Sequence, residues 1–508
     1  MKTVLCALNA RYSHSSLALL YLKKYCDKFD MEIAEFSTND TPHAIYSDLV
    51  EIKADIYAFS CYIWNISQTA VVADMIKTSM PECIIVFGGP QAQGDFDFVD
   101  HFVSGEGEKP FFALLTALEN GELPPKLLKS EENLSPFEIP APYTKEDIIS
   151  RRGKIIYFET SRGCPFSCAY CLSSTDRRVR YLPMDYVRKN LLLLFENEVP
   201  LVKLVDRTFN CDIERAAQII EFISENSIST RVHFEMAPHL INDDIIGLLA
   251  QKPHLFRVEI GIQSANPKTL AAVNRNFDLE AVAKIIERIK KTGVCVHLDL
   301  IAGLPFEDYA SFARSFDFAY AFRPDMLQLG FLKALPDTPI REMNGICYMK
   351  TPPFEVLRTD WLSASELIRL KKTEEAVDRF YNSRAFSRTI EVLTKKNAFS
   401  VFEALGRALK TAESKGKIPR FRLGDILYEF GGESVLVPLA LDLLQSFRER
   451  PLPKYIKRNE PDDYKKRCAE YLKRHNFSLK NVRIEPIFDK VYLADYESNT
   501  VSDITDEI

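Results

Sequence analysis

The sequence has no apolar run near the ~20 residues that a bilayer-spanning helix needs, which excludes an integral helical membrane protein. Its start, MKTVLCALNARYS, lacks the apolar core and small-residue cleavage site of a secretory leader, so the expected compartment is the cytoplasm, with no membrane partner. A cationic excess is missing too. With 65 lysines and arginines against 71 aspartates and glutamates, the net charge is −6 and the pI about 5.9. That balance gives no global reason to expect nucleic acid, without excluding it. The 11 cysteines are odd in number and scattered, which fits reduced thiols better than a disulfide framework. What is present is a globular composition, 46% hydrophobic and 27% charged, in a chain of 508 residues that is long enough for two to four domains.

The chain is organised around residues 161–172, SRGCPFSCAYCL, which follow a strand-like run, IIYFET (155–160). Cys164, Cys168 and Cys171 fall at CxxxCxxC spacing in a loop opened by Gly163 and Pro165. Three thiolates can hold three corners of a cubane iron–sulfur cluster and leave the fourth iron open to a ligand. A zinc site or three unrelated core cysteines would use the same residue type. Zinc, however, asks for a fourth Cys or His at short spacing, and the neighbourhood offers none. The stretch, including Tyr170, resembles the signature of the radical S-adenosylmethionine (SAM) enzymes. That resemblance implies a [4Fe-4S] cluster whose open iron is chelated by SAM, and reductive cleavage of SAM to a 5′-deoxyadenosyl radical.

Ahead of this loop, TVLCALN (3–9), MEIAEFS (31–37), DIYAFS (55–60) and CIIVFGG (83–89) alternate with helical stretches over 13–29, 42–53 and 65–79. Buried strands alternating with helices predict a doubly wound parallel α/β sheet over residues 1–130, with ligands at the carboxyl ends of its strands. Those ends carry Asn9, Tyr12 and Ser13 after the first strand, Ser60 at the end of the third, Gly88, Gly89 and Pro90 after the fourth, and Gly105, Glu106 and Gly107 after a fifth. A double glycine after a strand is equally compatible with a plain turn. Together, however, VFGGPQ and FDFVDHFVSGEGEKPFFALL resemble the cobalamin-binding domain of one large branch of radical SAM enzymes, which makes cobalamin the implied ligand of these residues. The sequence has no DxHxxG, since His101 lacks the aspartate two before it and meets its glycine one position late. This argues against a mutase-like site with a histidine under the cobalt. His14 and His43 are possible contacts to cobalamin, with a solvated or helix-capping role the expected one. Residues 131–150, proline-rich and aperiodic, read as a linker.

From 151 to 345, six strand-like runs (155–160, 201–206, 231–236, 256–261, 294–300, 326–331) alternate with amphipathic stretches and predict a partial six-stranded parallel β/α barrel. Its strand ends carry Asp206 and Arg207, Glu235, Glu259, Gln263 and Ser264, Asp299 and Gly303. Buried carboxylates need partners; internal salt bridges are one source, and the resemblance implies SAM as the other. It puts Asp206 and Arg207 near the cluster end of SAM, Glu235 at its amino or ribose groups, Gln263 and Ser264 at its carboxylate or ribose, and the backbone up to Gly303 at adenine. LKALPDTPI (332–340) resembles the usual end of this barrel, with Asp337 where a glycine is common.

Residues 346–508 turn mainly helical, with a basic, tyrosine-spotted run over 454–483, two apolar segments at 482–496 that suggest a hairpin, and an acidic tail expected to be disordered. The run is read as the solvated face of a helix rather than a nucleic-acid contact. This third resembles an accessory domain of cobalamin-type radical SAM proteins, and its position suggests a part in shaping the substrate pocket. The expected activity is methyl transfer to an unactivated carbon. As the resemblance implies it, the deoxyadenosyl radical removes a substrate hydrogen, methylcobalamin donates the methyl group, and a second SAM remethylates the cobalt. Rearrangement, cyclisation or oxidation without methyl transfer is the alternative, and a non-catalytic sensor that binds cluster and cobalamin is the alternative from another class. The substrate is left open, as a small molecule, a peptide or another class, and a reducing electron donor such as flavodoxin or ferredoxin is implied.

Overall fold

The computed structural model describes residues 1–130, 132–414 and 416–508. Position 131, the first of the expected linker, lies outside the described residues, as does position 415. The chain divides into two compact units. The first comprises Met1–Gly261, Lys268–His297 and Phe331–Thr359; the second comprises Ile262–Pro267, Leu298–Gly330 and Asp360–Ile508.

The first unit opens with strands β1 (Thr3–Asn9), β2 (Met31–Ser37), β3 (Ile56–Ser60), β4 (Ile84–Gly88), β5 (His101–Ser104) and β6 (Leu127–Lys129), parallel and ordered β2-β1-β3-β4-β5-β6. Helices α1 (Leu17–Tyr25), α2 (Pro42–Ile52), α3 (Ile66–Ser79) and α4 (Glu108–Glu119) connect them. Because side chains alternate across a strand, Val4, Cys6 and Leu8 pack with Ile45, Leu49, Val72 and Ile76 of α2 and α3. Leu5 and Ala7 pack on the other face with Leu19, Phe111 and Leu114 of α1 and α4. Burial on both faces explains why TVLCALN is a continuous apolar run. The helix expected over 13–29 is confined to α1, because residues before Leu17 form the loop at the end of β1.

The second series begins at β7 (Ile156–Phe158) and a short ribbon, β8 (Ser161–Arg162) with β9 (Arg180–Tyr181), which closes the cysteine loop. Then come β10 (Leu201–Leu204), β11 (Arg231–Met236), β12 (Phe256–Gln263), β13 (Cys295–Ala302) and β14 (Met326–Phe331). Their order is β7-β10-β11-β12-β13-β14, the sheet of a partial barrel. In β12 burial alternates strictly: Phe256, Val258, Ile260 and Ile262 are buried, while Arg257, Glu259, Gly261 and Gln263 are not fully so. Within the stretch expected to be a linker, residues Lys145–Ser150 form a helix capped reciprocally by Thr144 and Asp147. A hairpin of β15 (Ile346–Tyr348) and β16 (Val356–Thr359) completes the first unit, whereas residues 326–330 of β14 and 298–302 of β13 belong to the second.

In the second unit, helices Ala364–Ala376 and Ala398–Glu413 approach so closely that a Cβ on Gly406 would lie 2.3 Å from the Lys372 carbonyl. Phe316 packs on Phe399 and Phe402 at centroid distances of 5.6 and 5.8 Å. At its end, β17 (Val482–Ile487), β18 (Lys490–Asp495) and β19 (Thr500–Asp503) form an antiparallel meander. The tail expected to be disordered is thus a strand and a turn, anchored by Ile504 and Ile508 in a small core with Tyr471, Val482, Val491 and Leu493. The basic run includes helix Tyr464–Arg474, whose Tyr471 is buried while Lys465, Lys466, Arg467, Lys473 and Arg474 are exposed. Among the described residues no helix is long and apolar enough to cross a membrane.

Candidate functional site

The carboxyl ends of the first sheet open onto a cavity of about 620 Å³. It sits where the strand order reverses between β1 and β3, the usual ligand crevice of such sheets. Asn65 builds this point: its buried amide donates to the carbonyls of Leu8 (3.1 Å) and Ser60 (2.9 Å), holding the ends of β1 and β3 together. Asn9, Ser60, Gly88, Gly89, Pro90, Gly105, Glu106 and Gly107 all line the cavity. Gly89 has φ +107°, and a Cβ there would come within 2.8 Å of the Cys61 carbonyl, so the wall is necessarily bare backbone. Such a wall fits a bulky, flat ligand of the corrin kind. Tyr12 and Ser13 stand outside the lining: Tyr12 is 79% exposed, and Ser13 gives its carbonyl to the Ile155 amide. His14, expected to be solvated or capping, instead lines the cavity and meets the Tyr157 hydroxyl at 2.7 Å. Burial, then Arg11 and Lys203, lower its pKa and keep the imidazole neutral. His43 stacks on Tyr46, as a surface residue of α2 would.

The opposite wall belongs to the barrel: Tyr157, Glu159, Arg162, Val205 and Arg207. These residues lead into the cysteine loop. Gly163 (φ +91°) allows the chain to turn there, since a Cβ would meet the Arg178 carbonyl at 2.3 Å. The Ala169 amide donates to Val273 O at 3.1 Å, the Ala169 carbonyl accepts from Ile340 N at 2.9 Å, and Asn274 donates to Ser167 O at 3.1 Å. Arg275 lays Nη1 3.7 Å from Cys168 Sγ and 3.3 Å from the Tyr170 hydroxyl. Among the described residues, the only trio of metal-ligating atoms within 4.8 Å of one another is His233, Glu259 and His297, so the three thiols are spread too widely for one zinc ion and suit a larger cluster.

That histidine–glutamate trio is a self-satisfied polar layer. Glu259 Oε2 lies 2.7 Å from His233 Nε2, 3.3 Å from His297 Nδ1 and 3.2 Å from Lys203 Nζ. Burial pushes this carboxyl up, but the hydrogen bonds from His233 and His297 and the charge of Lys203 more than reverse the effect and hold it well below the usual range. Lys203 already occupies the place a cation would take.

Several residues expected to meet SAM are likewise engaged inside the protein. Asp206 accepts from Thr160 N (2.9 Å), Thr160 Oγ1 and Ser161 Oγ (both 2.6 Å), tying β7 to the end of β10; burial raises its pKa against those bonds. Glu259 is held as described. In the second unit, Ser264 is fully buried and donates to Glu307 at 2.6 Å, as does Ser315 at 2.7 Å. The other expected positions are placed differently. Arg207 is exposed and faces the cavity of the first sheet rather than lying only by the cysteines. Glu235 is half-buried, 3.9 Å from Lys203. In the second unit, Gln263 (φ +68°) has a buried Oε1 with no hydrogen-bond partner among the described residues, an orphan that asks for a ligand. Gly303 has φ +90°, and Asp299 is half-buried on β13.

Residues 4–115 match the B12 binding domain family, 158–319 the radical SAM superfamily, and 342–502 a family described as a protein of unknown function (DUF4080). The chain is similar to the cobalamin-dependent radical SAM methyltransferase TokK of Streptomyces tokunonensis, at 25% identity over 58% of this chain and 49% of TokK. It is also similar to the anaerobic magnesium-protoporphyrin IX monomethyl ester cyclase of Rubrivivax gelatinosus, at 22% identity over 70% of this chain and 71% of the cyclase. Among solved structures, the cobalamin-dependent SAM radical enzyme OxsB with aqua-cobalamin and SAM bound superposes with a TM-score of 0.59 at 15% identity, over 94% of this chain and 76% of OxsB. That likeness is one of fold. The chain spans about half the length of TokK.

Proposed function

We propose that this chain, in which a B12 binding domain precedes a radical SAM domain, is a cobalamin-dependent radical SAM enzyme that methylates an unactivated carbon. One observation carries the reading. The strand leading into the three-cysteine loop supplies a wall of the cavity at the glycine-rich ends of the first sheet, so cluster and cobalamin would work on adjoining surfaces. When bound, cluster and SAM supply a hydrogen-abstracting radical, and cobalamin supplies a transferable methyl group.

The chain's own part is positional. Cys164, Cys168 and Cys171 hold the cluster; Gln263, Gly303, Glu235, Asp299 and Arg207 face SAM or the substrate. Asp206, Glu259 and Ser264 stiffen the strand ends from inside. Asn9, Ser60, Gly88, Gly89, Pro90, Gly105, Glu106 and Gly107 receive cobalamin. In this reading residues 1–130 bind cobalamin, 151–345 form the SAM barrel, and 346–508 shape the substrate pocket. The compartment is the cytoplasm, and the reductant a flavodoxin or ferredoxin.

The test is an anaerobic assay of the reconstituted protein with SAM, hydroxocobalamin and a strong reductant. Formation of both 5′-deoxyadenosine and S-adenosylhomocysteine, with cobalamin retained, supports methyl transfer. The likeness to a cyclase over about 70% of both chains favours a second reading, cyclisation, rearrangement or oxidation without methyl transfer. Under it only 5′-deoxyadenosine forms. If a protein loaded with cluster and cobalamin forms neither product with any reductant, SAM cleavage is strictly gated by the substrate or the chain is the sensor.

A further inference from the structure

The loop after β5 and the loop that carries the cysteines meet on one carboxylate. In the β8–β9 ribbon, Arg162 stands directly opposite Arg180. These two residues bracket the whole cysteine loop. Like charges opposite one another on paired strands repel, so the ribbon needs an anion, and Glu106 supplies it. Its carboxylate binds Arg180 through both oxygens and lies 3.4 Å from Arg162 Nη1. It also accepts from Leu134 N at 2.8 Å. Burial pushes this carboxyl up, but Arg180, Arg162 and the Leu134 amide outweigh that and keep it ionised.

Each arginine has further anchors. Arg162 binds Glu108 at 2.7 Å and Glu159 at 2.8 Å. Arg180 binds Leu134 O at 2.9 Å and Asp176 at 3.2 Å, and the Asp176 carbonyl accepts from the backbone N–H of Cys164 at 3.1 Å. A continuous chain of charge-assisted bonds thus runs from Gly105–Gly107, which line the cavity, to the first cluster cysteine.

We propose that Glu106 is a positioning residue that couples occupancy of the cobalamin cavity to the geometry of the cluster loop. The proposal rests on the cofactor reading above. A ligand that orders Gly105 and Gly107 orders the carboxylate between them, and with it both ends of the cysteine loop. By reciprocity, a loaded cluster tightens cobalamin by the same factor.

The experiment measures the rate at which the reconstituted full-length protein loses iron to a chelator, with and without bound hydroxocobalamin. In the natural chain cobalamin should slow iron loss about fivefold or more, the lower end of ordinary coupling. In Glu106→Gln, still holding four irons and cobalamin, the ratio should fall to near one. Should Glu106→Gln fail to fold or lose cobalamin, Arg180→Lys, which leaves the cavity lining untouched, gives the same reading. Exposed Glu138→Gln, which removes the charge facing Lys109 and keeps an acceptor for the Ser135 amide, should keep the natural ratio. A natural chain that binds both cofactors yet shows no protection, or variants at Glu106 and Arg180 protected as fully as the natural chain, overturns the proposal. A natural chain that binds neither cofactor overturns the cofactor reading itself.

Discussion

The two six-stranded sheets use their strands differently. In the first, the central strands β1, β3 and β4 are apolar inside, with Val4, Leu5, Cys6, Ala7 and Leu8 all buried and interior charge confined to Glu32 and Glu35 of the edge strand β2, and every residue proposed to meet a ligand lies at a strand end or beyond it. In the second, ionisable groups stand within the strands themselves: Lys203 in β10, His233 and Glu235 in β11, Glu259 in β12. Helices on both faces leave the central strands of the first sheet no room for charge, whereas a barrel has an inner face of its own. The first sheet therefore offers a ligand shape and bare backbone, and the second offers charge.

The harshest way to break this contrast is at the cluster. Cys168→Ala should abolish SAM cleavage and iron retention while cobalamin still binds, because the cavity of the first sheet takes no lining from that residue; iron analysis and the corrin absorbance check both halves. If cobalamin is lost as well, the two sheets are not separable in this sense. Next come the strand interiors. Leu5→Ala should cost about 2–5 kcal/mol through its cavity. Glu259→Gln should cost about 1–3 kcal/mol by a different route, removing the carboxylate that partly buried Lys203, His233 and His297 share. Denaturant melts separate the routes: adding Lys203→Met should recover stability in the Glu259 variant and nothing in the Leu5 variant.

Much of this contrast was legible before the fold was known. TVLCALN reads as a buried strand of a doubly wound sheet and residues 256–261 as a barrel strand with polar groups at its end, and the structure has a strand in each place. Local periodicity is silent on partners far apart in sequence. Glu106 lies 74 residues from Arg180, and Arg275 lies 107 from Cys168, so neither pairing leaves a mark in any window of the chain. The same limit hid the role of Asn65 at the β1–β3 switch and the pairing of His14 with Tyr157. Asp206 and Ser264 were legible as strand-end polar residues, but whether a buried polar group faces a ligand or a neighbour depends on what tertiary packing brings beside it. The acidic tail reads as disorder from composition, yet Ile504 and Ile508 tie it into a core.

Where charge lies in or just beyond the second sheet it is either compensated or suppressed, and Glu307 is the suppressed case. Burial raises its pKa to about 7, against the hydrogen bonds from Ser264 and Ser315, and its Oε2 has no partner among the described residues. The folded state holds a proton that the unfolded chain releases near the ordinary glutamate value. Stability is therefore undiminished below that value and falls as pH rises from it to about 7. The loss amounts to about 3 kcal/mol. Glu307→Gln keeps the acceptor for both serines without the ionisation, so its apparent Tm should decline less from pH 5 to 8 than that of the natural chain, the decline from buried Glu159, pushed up to about 6, being common to both. A parallel decline in both would place the penalty elsewhere.

The smallest effect expected is electrostatic tuning at the cluster itself. Arg275 directs Nη1 at Cys168 Sγ from 3.7 Å, while Nη2 donates to the Gly261 carbonyl at 2.5 Å and the guanidinium lies 5.4 Å from the Phe277 ring centroid. A fixed positive charge beside a thiolate ligand favours the reduced, more negative cluster. At ~6 Å from the added electron and an effective dielectric of about 20, the interaction is roughly 3 kcal/mol, on the order of 100 mV for one electron. Arg275→Gln should therefore shift the midpoint potential to more negative values by up to that amount, read by an EPR-monitored redox titration, and Arg275→Lys should restore most of it. The paired variants separate charge from packing. If both shift the potential equally, Arg275 acts by holding the Gly261 and Cys168 segments in register; if only the glutamine variant does, the second sheet uses charge as the first uses shape.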